Sequence, residues 1–371
     1  MKFNKAYKFR LYPNTEQQML INKTIGSARF IYNKMLSDKI EYYNENKEKL
    51  NNTPAQYKKE FEWLKEVDSL ALANAQINLQ TAYNNFFKNK SIGFPKFKSK
   101  HKSKKSYTTN NQKGSIALIE NNKKIKLPKL GLVNIKCHRT IKKSELIKSC
   151  TISLTPSGKY YISILVEYEQ EIEKVKPIKV LGLDYSQPDF YVDSENRKPN
   201  FPKPKRSLQD KLSKEQRKLA RKVKSSNNRN KQRIKVARLE EHIANQRKDF
   251  LHKLSNKLSN DYDVICVEDI DLRAMSQCLS LGKNISDNGF GMFRTMLEYK
   301  LKDRGKYFVK IDKWFPSSKL CNECGCVNSE LVIGQMTWIC PSCGEIIDRD
   351  YNASKNIKEE GFRILSQELA C

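Results

Sequence analysis

The sequence predicts an α/β domain that is joined to a helical part and an all-β part and is interrupted by a small metal-binding segment. Two short apolar runs, residues 180–183 and 264–267, are typical of strands buried on both faces of a sheet, and an acidic residue follows each run. Runs of alternating polarity fill residues 106–168, which indicates antiparallel strands. Two Cys-x-x-Cys pairs indicate the metal-binding segment. A chain of 371 residues is long enough for two or three domains.

A large excess of basic residues indicates a polyanionic partner. The chain has 70 Lys and Arg residues against 41 Asp and Glu residues, a formal net charge of +29, and such a surface repels itself unless a polyanion is bound. A hydrophobic fraction of 38%, with 17 Tyr and 16 Phe, favours folded domains over a disordered basic tail. A non-enzymatic RNA-binding protein of the ribosomal type would carry a similar charge, so charge alone leaves that alternative open.

The sequence shows neither a secretion signal nor a stretch that could span a membrane. The first residues lack the apolar core of a signal peptide, and no run approaches the roughly 18 apolar residues of a transmembrane helix. We therefore expect a cytoplasmic protein. In that reducing compartment, ten cysteines that include two Cys-x-x-Cys pairs indicate metal binding before disulfides.

One strand and then a helical module are predicted at the N-terminus. Residues 5–12 alternate in polarity, as a half-buried strand does. Asn14-Thr15-Glu16-Gln17 is typical of a helix cap, and apolar residues with helical spacing follow it, with a polar interruption near residues 44–53. We assign residues 1–13 to the strand and residues 14–92 to the helical module.

An antiparallel β domain is predicted over residues 93–172, starting where Gly93 and Pro95 end the helical pattern. Five runs within it have the composition of strands: residues 115–119, 123–127, 133–136, 150–154 and 160–167. Basic and aromatic residues are mixed near its start, which suits phosphate contacts and base stacking. The candidates for such contacts include Lys96, Lys98 and Tyr107.

A long and very basic helical segment is predicted at residues 205–260, within an α/β region that covers residues 173–312. Such a run is commonly only the solvated face of a helix. Few acidic residues are interspersed here, however, which favours contact with a nucleic-acid backbone. The candidates for that contact are Arg217 and Arg221.

Four cysteines have the spacing of a zinc ribbon within residues 313–346. Two Cys-x-x-Cys pairs separated by 15 residues predict a tetrahedral four-thiolate site formed by Cys321, Cys324, Cys340 and Cys343. Gly325 and Gly344 allow the tight turns that follow each pair. Four thiolates close the coordination shell, so the ion would be structural. A redox dithiol is the alternative, but two pairs at this separation favour zinc, with Cys326 outside the shell.

Three acidic residues are candidates for a second, catalytic metal site. Asp184 and Glu268 follow the two buried strand runs, and ligands of open α/β sheets bind at the carboxyl ends of strands. Asp350 precedes the last predicted helix. Clustered carboxylates bind Mg²⁺, and two such ions can drive phosphodiester hydrolysis. Single acids at strand ends and helix starts are common, so the pattern alone also leaves open Asp189, Asp269, Asp271 and Asp348.

Several short motifs occur in a fixed order along the chain: Lys8-Phe9-Arg10-Leu11-Tyr12-Pro13, Arg29-Phe30-Ile31-Tyr32-Asn33, Gly93-Phe94-Pro95-Lys96-Phe97-Lys98, Gly182-Leu183-Asp184, Val267-Glu268-Asp269, Ser317-Ser318 before the first cysteine pair, and Asp348-Arg349-Asp350-x-Asn352-Ala353. In this order they resemble the TnpB (OrfB-type) proteins that bacterial insertion sequences encode, a family similar to type V CRISPR effector nucleases. The resemblance covers nearly the whole chain, and the combination is far more specific than any one motif.

The resemblance implies a RuvC-like nuclease fold of the ribonuclease H type, formed by residues 173–312 and 347–371 and interrupted by the zinc ribbon. It also implies a wedge-type β barrel of residues 1–13 and 93–172, and a helical recognition lobe of residues 14–92. The implied activity is RNA-guided cleavage of double-stranded DNA. Guide RNA and target DNA are the implied partners, with one chain on each RNA, near a bacterial or archaeal nucleoid. Structural Zn²⁺ and two catalytic Mg²⁺ or Mn²⁺ ions are the implied cofactors.

The family's site residues carry over by motif. Asp184 and Glu268 take the places of the first and second acids, and Asp350 takes the third because the family's acid lies two positions before Asn352. The chain has Tyr185-Ser186 where many relatives have a small residue and glycine, a departure that bears on the local substrate path but not on the acid.

Two further possibilities follow from the resemblance. Gln76 and Gln80, one helical turn apart, are candidates for contacts with bases beside the target, although an exposed polar helix face would show the same pattern. A nuclease-inactive DNA-binding regulator and a strand-joining transposase are the alternative functions.

Overall fold

The computed structural model describes residues 2–142, 144–278, 289–332 and 334–370 and divides the chain into two units, Met1–Glu171 and Ile172–Cys371. Each unit has its own sheet and its own buried core. The helical and all-β parts lie in the first unit, and the α/β part and the cysteine-rich segment lie in the second.

An antiparallel sheet of seven strands, in the order β2-β6-β7-β1-β5-β4-β3, forms the β part of the first unit. Strand β1 pairs with β7 along most of its length, from Lys2↔Glu169 to Leu11↔Tyr160. Every second residue of β7 is buried, so one set of the alternating residues in its sequence faces the core. The strands are β1 (Lys2–Tyr12), β2 (Lys105–Asn110), β3 (Ala117–Ile119), β4 (Lys124–Leu127), β5 (Gly131–Lys136), β6 (Leu146–Leu154) and β7 (Tyr160–Glu169).

Three α-helices complete the first unit: α1 (Thr15–Asn46), α2 (Pro54–Glu60) and α3 (Ser69–Lys88), with short 3₁₀ turns at Glu62–Lys65 and Lys90–Ile92. The predicted helix cap is confirmed. The Gln17 amide donates to Asn14 Oδ1 (2.8 Å), and the Asn14 amide donates to Gln17 Oε1 (3.0 Å), so two otherwise unpaired N–H groups are satisfied. Gln17 also donates to the carbonyl of Leu132 (2.8 Å), which ties the start of α1 to β5.

A four-stranded sheet, in the order β11-β10-β8-β9, forms the centre of the second unit. Strands β8 (Val180–Asp184), β10 (Val264–Glu268) and β11 (Tyr307–Ile311) are parallel, and β9 (Val192–Asp193) is antiparallel to β8. The two apolar runs of the sequence are therefore adjacent parallel strands, and their acidic ends lie at the same edge of the sheet.

Helices cover both faces of this sheet, which explains why its strands are apolar throughout. The helices are α4 (Pro204–Ser207), α5 (Gln209–Ala220), α6 (Asn227–Asp261), α7 (Leu272–Cys278), α8 (Phe290–Lys302) and α9 (Arg349–Ala370). Leu181 and Ile265 pack with residues of α6 and α8, whereas Val264 and Cys266 pack with α9. None of the helices in the described ranges is long and apolar enough to cross a membrane.

Three features differ from the sequence-based expectation. Strand β2 was not predicted, because Lys105–Asn110 has few apolar residues, and its pairing with β6 stabilises it. The short strand β9 was missed as well. The basic segment is not one helix: α5 ends at Ala220, and Ser226 starts α6 by accepting a hydrogen bond from the Arg229 amide (3.1 Å).

Helix α9 lies against β8 so closely that only glycine fits between them. A Cβ atom added to Gly182 would lie 2.1 Å from the Ser354 carbonyl oxygen and 2.7 Å from the Lys358 amide nitrogen. Strand β8 and the helix therefore meet backbone to backbone. Further along the helix, Gly361 lies against the side chain of Cys266 on β10, where an added Cβ would also overlap.

We expect Gly182→Ala to destabilise the second unit by about 1–3 kcal/mol, because the added methyl group overlaps helix backbone that cannot rotate away. Gly26→Ala is the matched control, since Gly26 lies inside α1 with no atom within 4 Å of an added Cβ. That substitution should be neutral or stabilising by up to about 1 kcal/mol. Urea denaturation followed by circular dichroism measures both changes, and an unchanged midpoint for Gly182→Ala would contradict the close approach.

Candidate functional site

The thiols of the four predicted zinc ligands converge in the structure. Cys321 Sγ lies 3.8 Å from Cys343 Sγ, and Cys324 Sγ lies 3.5 Å from Cys340 Sγ. All four sulfur atoms lie within 4.8 Å of one another. A tetrahedron of sulfurs placed about 2.3 Å from a central zinc has edges of about 3.8 Å. The distances therefore fit a four-thiolate zinc site.

The backbone turns shape this site. The Gly325 amide donates to the Cys321 carbonyl (2.9 Å), and the Gly344 amide donates to the Cys340 carbonyl (3.0 Å). Both glycines have positive φ angles, 74° and 76°, which glycine adopts without strain. Backbone N–H groups at Cys343 and Ser342 lower the pKa of the Cys340 thiol, whereas the pKa values of the neighbouring Cys343 and Cys321 thiols are raised, so the first proton is lost from Cys340. The thiolate is the form that binds a metal.

A short hairpin completes the ribbon. Strands β12 (Thr337–Ile339) and β13 (Ile346–Asp348) are antiparallel and paired at Trp338↔Ile347. Trp338 and Ile347 are buried together with Cys321 and Cys340. The hairpin leads directly into α9, because Asp348 ends β13 and Arg349 begins the helix.

Two asparagines of α9 hold the ribbon to the helix. Asn352 accepts a hydrogen bond from the Asn322 amide (2.9 Å), and its Nδ2 donates to the Leu320 carbonyl (2.7 Å). Asn356 donates to the carbonyls of Ser317 (2.8 Å) and Leu320 (2.7 Å). Both side chains are buried. Sequence reasoning assigned them no role, although two asparagines at positions i and i+4 of an amphipathic helix were a signal for such a contact.

The three candidate acids lie near the carboxyl edge of the parallel sheet. Asp184 ends β8 and Glu268 ends β10, one position beyond the Leu183↔Val267 pair, and Asp350 lies in the first turn of α9. Asp184 is only 8% exposed, and burial raises its pKa well above the usual range. The negative charges of Asp350 and then Glu268 raise that pKa further, so both groups lie close enough to act on Asp184.

The pKa values of the other two carboxyl groups are also raised, chiefly because the groups are buried. For Asp350, the positive charge of Arg349 and the hydroxyl of buried Ser186 oppose the shift. In the described part of the chain, none of the three acids forms an ion pair with a lysine or an arginine. The three acids are therefore near one another without an ion pair, but in the described residues their carboxylate oxygens do not all lie within 4.8 Å of one another, as the four thiols do.

The four competing acids all have other partners. Asp189 pairs with Lys198 (2.9 Å), and Asp269 pairs with Arg294 (2.7 Å). Asp348 accepts the amide of Tyr351 (2.9 Å) at the start of α9, and Asp271 accepts the amide of Ala274 (3.1 Å) at the start of α7. Their positions are those of ion pairs and helix caps.

Tyr185 and Ser186, the departure from the family pattern, lie on the chain directly after Asp184. The Tyr185 amide donates a hydrogen bond to Asp184. Its ring packs 4.7 Å from that of Phe290, at 52°, at the edge of the aromatic core of the second unit. Tyr185 thus packs against the core next to Asp184.

The candidates for nucleic-acid contact occupy different environments. Lys96 is exposed, and Lys98 is half-buried with its ammonium 3.8 Å from the centre of the Tyr32 ring. Tyr107 is only 6% exposed and belongs to the hydrophobic core of the first unit. Its ring is therefore placed to pack and not to stack on a base, and the sequence could not show this because β2 was not predicted.

The remaining candidates are more accessible. Arg217 and Arg221 are exposed at the end of α5. Gln80 is exposed and donates to Asn84 (2.9 Å), whereas Gln76 is half-buried and donates to the carbonyl of Asn52 (3.1 Å). Part of the hydrogen-bonding capacity of Gln76 is thus already used within the first unit.

Three family models match the chain. A model described as "Probable transposase" matches residues 163–279, and one described as "Cas12f1-like, TNB domain" matches residues 290–357. A third, described as "Helix-turn-helix domain", matches residues 1–48, which in this structure form β1 and the single long helix α1.

Curated relatives match nearly the whole chain. A "Putative RNA-guided DNA endonuclease" of Streptomyces pristinaespiralis is 34% identical over 96% of this chain and 89% of its own length. The "Putative RNA-guided DNA endonuclease InsQ" of Escherichia coli K12 is 29% identical over 99% of this chain and 94% of its own length. A solved structure titled "Cryo-EM structure of the Cas12f1-sgRNA-target DNA complex" matches with a TM-score of 0.62 and 12% identity, over 96% of this chain and 99% of that one. It confirms the predicted fold class.

We expect one zinc ion per chain, and we expect Cys321→Ser or Cys340→Ser to lose it, because three thiolates leave the tetrahedral shell open. Cys326→Ser is the matched control: Cys326 lies in the same ribbon but outside the four converging thiols. Elemental analysis of the purified variants measures the zinc content. Full zinc content in Cys340→Ser, or its loss in Cys326→Ser, would show that the ligand set is wrong.

Proposed function

Because the chain belongs to the TnpB (OrfB-type) family, we propose that it is an RNA-guided endonuclease that cuts double-stranded DNA by metal-dependent hydrolysis of phosphodiester bonds. The observation that carries the proposal is the position of Asp184 at the end of β8, where burial and then the charges of Asp350 and Glu268 raise its pKa. The names of the full-length relatives support the choice of substrate and guide.

The three carboxyl groups suit a divalent metal site. Carboxylate oxygens are the ligands that Mg²⁺ and Mn²⁺ prefer, and a bound cation would relieve the repulsion that raises the pKa of Asp184. When bound, two such ions activate the attacking water and stabilise the leaving oxygen. Asp184, Glu268 and Asp350 would hold them.

The protein's own contribution is to fix these acids in place. Strands β8 and β10 hold Asp184 and Glu268 on neighbouring backbones, and α9 carries Asp350 to them. Burial of Asp184 limits its contact with bulk water. Arg349 and Lys198 place positive charge beside Asp350, where a substrate phosphate would approach.

The net charge of +29 suits a protein that holds both a guide RNA and its target duplex. Base pairing with the guide would read the target sequence, while the protein would hold the paired strands through their backbones. We place one chain on each guide RNA, in the cytoplasm. Purification from cells that carry the native locus, followed by sequencing of bound RNA, tests for the guide directly.

Two alternative functions are distinguishable from this proposal. A nuclease-inactive regulator would bind guided target DNA and leave it intact in the presence of Mg²⁺. That alternative is disfavoured because all three acids are present and two of them act on the third, Asp184. A strand-joining transposase, which the description "Probable transposase" favours, would join DNA strands without RNA.

We expect Asp184→Asn, Glu268→Gln or Asp350→Asn each to lower guided DNA cleavage by about three orders of magnitude or more, because each removes a charge that the metal site needs. Guide binding and target binding should persist. Asp348→Asn and Asp269→Asn are the matched controls, since both remove an acid from the same region, and asparagine retains the capping acceptor at position 348. Cleavage that survives Asp184→Asn would refute this assignment of the site.

Removal of divalent ions by a chelator should abolish cleavage, and added Mg²⁺ or Mn²⁺ should restore it, because the bound ions would both lower the pKa of the attacking water and stabilise the leaving oxygen. The zinc content is measured in parallel and should be unchanged, since four thiolates release zinc far more slowly than carboxylates release Mg²⁺. Full cleavage by metal-stripped protein that retains its zinc would contradict a carboxylate-bound catalytic ion.

A further inference from the structure

Three phenylalanines at the end of the helical part of the first unit are exposed to an unusual degree. Phe87, Phe94 and Phe97 are 71%, 44% and 57% exposed. Phe87 and Phe94 both pack on Phe86, and Phe97 follows three positions after Phe94 in the chain. We call Phe87, Phe94 and Phe97 the aromatic surface. Large rings in contact with water favour a site of interaction when they are grouped, and single exposed apolar residues do not.

Rings below the aromatic surface support it. Phe94 packs edge-on against Tyr83 (5.5 Å between ring centres) and Phe86 (5.4 Å), and Phe86 in turn lies 5.4 Å from Phe87. The turn at Gly93, with φ of 81°, brings Phe94 back onto α3. This arrangement depends on a residue that tolerates a positive φ angle at position 93.

A clamp fixes the segment that carries Phe94 and Phe97. The side-chain amide of Asn33, on α1, donates to the Lys98 carbonyl (2.9 Å) and accepts from the Lys98 amide (2.8 Å). The Lys98 ammonium lies over the ring of Tyr32. The aromatic surface is therefore held in advance, which lowers the entropy lost when a ligand binds.

The charge around the aromatic surface selects its partner. Residues 69–119 include no Asp or Glu, and their cations are Lys88, Lys90, Lys96, Lys98, Lys100, Lys102, Lys104, Lys105 and Lys113. A second copy of this basic chain would bring the same positive surface and would be repelled. A polyanion with flat apolar groups satisfies both features, and unpaired nucleic-acid bases on a phosphate backbone have this chemistry.

We propose that the aromatic surface binds a single-stranded segment of nucleic acid by stacking unpaired bases on Phe87, Phe94 and Phe97, while Lys88, Lys90 and Lys96 contact its phosphates. The inference rests on the proposed function only in taking nucleic acid as the ligand. The segment is either RNA or displaced DNA, and both present the same stacking face.

The test distinguishes binding through stacked bases from binding through phosphates. Full-length protein is titrated with labelled oligomers of about 16 units, namely oligouridine, oligothymidine and an abasic oligomer of equal charge. Phe87→Ala and Phe94→Ala should each weaken binding of one or both base-containing oligomers about tenfold, and binding of the abasic oligomer should not change. A larger loss for oligouridine assigns the surface to RNA, and a larger loss for oligothymidine assigns it to DNA.

Three further variants keep the result specific. Phe94→Leu retains apolar bulk but not a flat ring and should behave as Phe94→Ala does, whereas Phe94→Trp should bind as the wild type does. Tyr43→Ala is the matched control, since Tyr43 is 57% exposed on α1 but lies among Glu41, Glu45 and Glu48. Circular dichroism verifies that each variant is folded.

Several outcomes would overturn the inference. They are unchanged binding in Phe87→Ala and Phe94→Ala, an equal loss for the abasic oligomer, and wild-type binding by Phe94→Leu. A self-association of the wild type that the Ala variants abolish in sedimentation experiments, with oligomer binding unchanged, would assign the surface to a second copy instead. No probe is cut or guided in this assay, so a negative result leaves the endonuclease proposal standing.

Discussion

The backbone contact between β8 and α9 is the constraint on which the candidate catalytic site depends. Gly182 lets the helix approach until its backbone meets the strand, and this approach brings the first turn of α9 to the carboxyl end of β8. Asp184 and Asp350 are 166 positions apart in the chain, yet the charge of Asp350 contributes to the raised pKa of Asp184 because of this packing. The missing Cβ at position 182 therefore has a role in bringing the start of α9, with Asp350, towards Asp184, which lies two residues after the glycine.

The zinc ribbon contributes to the same geometry from the other side. The ribbon backbone on either side of Cys321, at Leu320 and Asn322, is hydrogen-bonded to Asn352 and Asn356. These asparagines lie one and two helical turns into α9. Asp350 thus lies in the first turn of a helix that is both hydrogen-bonded to the ribbon and packed on the sheet. A zinc ion bound by the four thiols would further limit the positions that the start of α9 can adopt.

Periodicity and spacing predicted the parts of the molecule that depend on local rules. The capping box at Asn14, the strands buried on both faces and the four thiols each follow from residue types at fixed separations. The parts that depend on distant packing were not predictable in this way. From sequence alone, Tyr107 is expected to be an exposed aromatic residue among lysines, but the pairing of β2 with β6 buries it. Asn352 and Asn356 are expected on a polar surface, but the ribbon covers them.

The partners of each carboxyl group distinguish the three candidate acids from the four competing acids more clearly than the sequence pattern does. Asp189 and Asp269 have cations in contact, and Asp348 and Asp271 cap helices, so each is stabilised within the protein. Asp184 is buried with two like charges near it and, in the described residues, no ion pair, an arrangement that lowers folding stability. The positive charge of Arg349 opposes the raised pKa of both Asp184 and Asp350, yet neither acid forms an ion pair with it in the described residues. The pKa values of all three acids remain raised, and a bound divalent cation would lower them.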